Sequence, residues 1–71
     1  MTYPDLAQVE AADHMTLARW MRHLPSPGMN VAGTDEYIDV MEREAAISER
    51  IAARFDAMGG WNPALSKAVG W

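Results

Sequence analysis

The chain has 71 residues, 49% hydrophobic and 23% charged, with no cysteine and a formal net charge of -4. This length holds one domain at most, and a monomer of this size buries only about 60% of its unfolded surface. Disulfides and cysteine-based zinc sites are excluded, no apolar run reaches the roughly 20 residues of a membrane span, and the acidic balance speaks against duplex DNA as a partner.

The chain opens Met1-Thr2-Tyr3-Pro4-Asp5, without the basic and apolar regions of a signal peptide, so a soluble intracellular protein is expected. Leu6 and Val9 begin a helical region over about 5–24. Asp13 can cap a second piece of it, whereas Ala11 and Ala12 would let the two pieces run together. Leu17, Trp20, Met21 and Leu24 recur at three- and four-residue spacing and share a face. Pro25 ends this region, because proline disfavours helical geometry in the residue before it. Pro25-Ser26-Pro27-Gly28 then reads as a stiff turn, and the connection continues to Gly33.

Thr34 is the expected N-cap of a long helix over about 35–58, with Asp35 and Glu36 at its positive end. Tyr37, Val40, Ile47, Ile51, Phe55 and Met58 form an apolar stripe that Glu44 interrupts. Gly59-Gly60 closes the helix. A last helix over about 63–69 has Asn62 as N-cap, Pro63 at its first position and Gly70 as its stop, with Trp61 and Trp71 on either side. So short a helix is unstable alone and must be held by packing.

The predicted fold is all-α: short N-terminal helices, one long central helix and a short C-terminal helix. A helix of about 24 residues spans roughly 36 Å. Its stripe outruns any short partner in the same chain, so completion by dimerisation or a higher homo-oligomer is expected.

Candidate chemistry is sparse. Arg19 and Arg22 lie three residues apart beside Trp20 and could bind phosphate while an indole stacks on a base; equally, Trp20 suits the core and the arginines offset acidic neighbours. Arg50 and Arg54, one turn apart, are expected to approach Lys67 and the helix start at Asn62 across a dimer, forming an anion pocket. Their ordinary partners would be Glu49, Asp56 or the terminal carboxylate. Glu10 and His14 have helical spacing but lack the converging ligands a metal site needs. Ser26, Ser48 and Ser66 show no pairing with a base, and Gly59-Gly60 lacks the flanks of a phosphate loop. Neither a metal, a cofactor nor an enzymatic activity is expected.

The segments Asp13-His14-x-Thr16-Leu17-Ala18-Arg19-Trp20, Leu24-Pro25-Ser26-Pro27-Gly28 and Gly59-Gly60-Trp61-Asn62-Pro63-Ala64-Leu65-Ser66-Lys67-x-x-Gly70-Trp71 resemble a group of short phage-encoded proteins of unassigned function. The resemblance covers about half of the chain. It implies an accessory protein in the host cytoplasm that counters host defence. The expectation is then a sponge that sequesters a nucleotide signal without cleaving it, through Arg19, Arg22, Arg50, Arg54 and Lys67 on phosphates and Trp61 or Trp71 on a base. The competing expectation is an inhibitor that presents Asp35, Glu36, Asp39, Glu42 and Glu44 to a basic host protein. A structural or assembly component is the third.

Overall fold

The computed structural model describes residues 2–70, and all regular structure among them is helical. Helix α1 spans Leu6–Ala11, α2 His14–His23, α3 Tyr37–Ala57 and α4 Pro63–Val69, with a single 3-10 turn at Met29–Val31.

The N-terminal helical region is two helices, not one over 5–24. Asp5 caps α1 through a capping box with Gln8, and Asp13 caps α2 by accepting the Thr16 N–H at 2.8 Å. Ala12, extended between them, ends α1. The aspartate thus decides against the continuity that Ala11 and Ala12 permit, because its side chain competes with a helical backbone for the same N–H groups.

The long helix starts two residues later than its charge pattern suggests. Thr34 does not cap it: the Thr34 hydroxyl donates back to the Val31 carbonyl at 2.7 Å, and the Glu36 N–H reaches its Oγ at 3.3 Å. At the other end α4 matches its sequence signals. Asn62 accepts the Leu65 N–H at 2.7 Å, Pro63 opens the helix, and Gly70 ends it at φ 79°.

Val9, Leu17, Ala18, Ile47, Ile51, Phe55 and Leu65 form one core cluster drawn from all four helices. Helix α3 is its spine, with α1 and α2 packed on it and α4 packed on α2. Trp20 and Leu24 are half-buried against this cluster, but Met21 and Met58 are exposed. The molecule is flat and long, 41 × 24 × 14 Å.

The N-terminal half of α3 is covered from within the chain. The Pro25–Gly33 connection folds back on it, and Gly28 lies buried against Tyr37 and Met41. Glu44 accepts the Gly28 N–H at 2.9 Å, which accounts for a carboxylate in the middle of the apolar stripe. The Tyr3 hydroxyl donates to the Pro25 carbonyl at 2.5 Å and ties the N-terminal segment to the same connection. The stripe that implied a second copy therefore has an intramolecular cover over part of its length.

Candidate functional site

Three of the arginines expected to meet phosphate are bound to the protein itself. Arg22, in the last turn of α2, reaches the C-terminus of α4. Its Nη1 donates to the Gly70 carbonyl at 2.5 Å and to the Ser66 carbonyl at 3.5 Å, and its Nη2 to Ser66 Oγ at 3.2 Å. The last carbonyls of a helix have no intrahelical donor and form the negative end of its dipole, so a guanidinium there satisfies both. The same guanidinium lies 4.4 Å from the centroid of the Trp61 ring, a cation–π contact.

Arg54 does the same for α1. Its Nη1 donates to the carbonyls of Val9 at 2.5 Å and Ala12 at 3.0 Å, where α1 breaks off, and its Nε lies 3.8 Å from Glu10. The side chain is only 18% exposed. Arg50, further out, pairs with Glu10 through both oxygens. This contact holds the Glu10 carboxyl below its ordinary range and raises Arg50.

Within one chain, these residues form two separate groups. Arg50 and Arg54 share Glu10 beneath α1, and Arg22 and Trp61 sit at α4. Arg19 and Lys67 lie exposed on α2 and α4, and Trp71 falls outside the described residues. Trp61 is 41% exposed, and its inner edge packs on Phe55 at 5.0 Å between ring centroids. His14 completes this corner: its ring is 5.2 Å from Phe55, and its Nε2–H donates to the Gly60 carbonyl at 2.9 Å. Among the described residues, no three carboxylates or histidines gather to hold a metal ion.

The concave surface lies elsewhere. One cleft of about 300 Å³ is lined by Tyr3, Pro4, Asn30, Arg43, Glu44 and Ile47. A second, of about 210 Å³, is lined mainly by Tyr3, Trp20, Met21, Leu24, Ser48 and Ile51. Neither includes Arg19, Arg22, Arg50, Arg54, Trp61 or Lys67. The chain matches no family model, no curated protein and no solved structure. Its geometry is thus the ground for a functional reading.

Tyr3, Arg43 and Ser48 did not stand out as cleft residues in the sequence. The one available signal was Glu44, a carboxylate out of place on an apolar stripe, which marks where the connection and the larger of these two clefts meet α3.

Two solution consequences follow from these contacts. Arg54→Ala strips a charged donor from two helix-end carbonyls and is expected to cost about 2 kcal/mol, read as a lower urea midpoint. Arg50→Ala, at an exposed pair, is expected to leave the midpoint nearly unchanged. Equal losses would show that the Val9 and Ala12 contacts of Arg54 do not hold α1.

The pH profile follows from three groups. Glu10 and Asp13 are lowered from 4.5 and 3.8, the first by its hydrogen bond to Arg50 and the second by the Thr16 N–H. Depressed carboxylates stabilise the fold above their unfolded values, and that contribution is lost as pH falls through the folded ones. Tyr3 is raised from 10.0, chiefly by burial and then by Glu44. Its contribution is complete below 10.0 and is lost as pH rises, since ionisation also removes the donor to Pro25. Thermal melts across pH should show an alkaline limb that Tyr3→Phe shrinks, whereas Glu10→Gln should change the acid limb little, because the Glu10–Arg50 pair is exposed.

Proposed function

We propose that the chain is a non-catalytic binding module that meets a basic partner protein with the outer face of α3. Charge placement carries this reading. Asp35, Glu36, Asp39, Glu42, Glu49 and Asp56 are exposed on α3 or at its start, whereas Arg22 and Arg54 are engaged with helix ends. An acidic surface on a rigid helix steers a basic partner toward it and fixes its register. Inhibition of a host factor is the use that the likeness to phage accessory proteins suggests.

Sequestering a nucleotide draws less support. Arg22 and Arg54 would have to exchange helix carbonyls for phosphates and leave the Gly70 carbonyl at α4 and the Ala12 carbonyl at α1 without the donors they supply. Arg19 and Lys67, on different helices, would supply what remained.

Affinity capture with the wild-type chain and with Asp39→Lys/Glu42→Lys as paired baits tests the proposal. Basic proteins held by the first, cross-linked through α3 and lost from the second, are the expected result. Calorimetric heat with a cyclic or linear nucleotide that survives the charge reversal, beside no captured protein, would overturn it. Sedimentation of the same samples reads any homo-oligomer directly.

A further inference from the structure

Helix α3 carries a second apolar line beside the one it gives to the core. Ile38, Met41, Ala45, Ser48 and Ala52 follow one another at alternating three- and four-residue steps, the spacing by which two helices interlock. None of the five belongs to the core cluster. Ile38 is 56% exposed and the other four are half-buried, Met41 beneath Gly28 of the connection, so the open part of the line is Ile38, Ala45, Ser48 and Ala52. At its Ser48–Ala52 end the line opens into the 210 Å³ cleft walled by Trp20, Met21 and Leu24, with Met21 itself 41% exposed. The small side chains Ala45, Ser48 and Ala52 leave holes along it, and the exposed Met21 at the cleft can reshape to fit what enters.

The flanks of this line differ. Glu42, Glu49 and Asp56 are seven residues apart, which sets them in one row along its solvent edge, and all three are exposed. The other edge is the buried side of α3, with Glu44 held by Gly28 and Ile51 in the core. Only the solvent edge is therefore open to charge pairing with a docked helix. A second copy laid antiparallel on the line would set the Glu42–Glu49 row against its own duplicate, and like charges across an interface cost affinity. A helix with Lys or Arg on that edge would meet it with opposite charge.

We infer that this line, continued into the Trp20–Met21 cleft, docks one amphipathic helix of a partner protein, apolar at every third or fourth residue and flanked by Lys or Arg. The inference rests on the reading of α3 as an acidic binding surface and adds to it a groove, a helical ligand and a register.

The test is titration of the full chain with a synthetic amphipathic peptide of about three heptads, Leu at the seam positions and Lys at the flanks, and with its Glu-flanked counterpart. Backbone amide shifts and affinity are read together. The expected result is binding of the Lys peptide alone, with shifts at 38, 45, 48, 52 and 21. Ile38→Glu and Ala45→Glu should each weaken it about tenfold, and Glu42→Gln/Glu49→Gln should weaken it comparably while flattening its salt dependence. Ile38 is exposed enough that its variant keeps the fold, which circular dichroism checks. Loss on Glu42→Gln/Glu49→Gln with no change in Ile38→Glu and Ala45→Glu would overturn the groove and leave the acidic surface standing. Failure of the Lys peptide to bind, or equal binding of both peptides, would overturn both. A wild-type dimer that Ile38→Glu dissociates would identify the occupant as a second copy and overturn the inference.

Discussion

Phe55→Ala is expected to remove about half of the chain's stability. The side chain is 1% exposed and is the largest in the core. Removing a buried Phe ring costs about 3–5 kcal/mol, the lost transfer energy plus the cavity left behind. A domain of this length has roughly 4–10 kcal/mol in all, at the usual stability per residue. The loss here falls toward the upper end, because the ring is also a hub. It supports the His14 ring on one side and the Trp61 edge on the other, and through them the His14–Gly60 hydrogen bond and the approach to α4. Those groups cannot collapse into the space without undocking α4 from α2. Ile51→Val, a one-methylene deletion in the same cluster, should cost only about 1 kcal/mol and stay folded. Urea titration followed by helical circular dichroism reads both. A Phe55→Ala chain with a wild-type midpoint would show that this corner does not hold the helices together.

The helices were legible because their signals are local. Asp13, Asn62, Pro63, Gly70 and the Gly59-Gly60 pair act within one turn of where they stand, and the structure uses each as its chemistry suggests. The arginine contacts were not legible, because each acts across the chain. Arg54 binds carbonyls at positions 9 and 12, and Arg22 binds carbonyls at positions 66 and 70. A backbone carbonyl has no side chain to announce it, so a pattern of basic residues near helix ends reads equally as phosphate binding or as C-terminal capping. Size favours the second: short helices such as α1 and α4 have few internal bonds and much to gain from an external donor. The same reasoning applies to Glu44. As a break in the stripe it looked like a flaw, and its partner is again a backbone group, the Gly28 N–H. The charged residues that remain at the surface, above all the acidic rows of α3, are those left over once these internal demands are met.

Gly28→Ala is the second substitution with a large expected effect, and it tests whether the Pro25–Gly33 connection is a fixed cover or a loose linker. Gly28 has φ 78°, where a Cβ costs about 1–2 kcal/mol. That Cβ would stand 2.8 Å from Met41 Cβ and 2.9 Å from Tyr37 Cε2. Met41 Cβ is anchored to the helix backbone and cannot swing aside, so the connection itself must lift. Lifting it separates the Gly28 N–H from Glu44 and leaves a half-buried carboxylate short of a donor. The total expected is about 3 kcal/mol. Gly33→Ala is the matched control: its φ is 84°, but nothing lies within 4 Å of the added carbon, so only the conformational cost of about 1–2 kcal/mol applies. Paired thermal melts should therefore place Gly28→Ala well below Gly33→Ala. A linker that merely spans α2 and α3 would give the two variants the same melting temperature. A cover that completes α3 separates them, and the displaced connection should also bare Tyr37 and Met41 to solvent, read as faster amide exchange across the first two turns of α3.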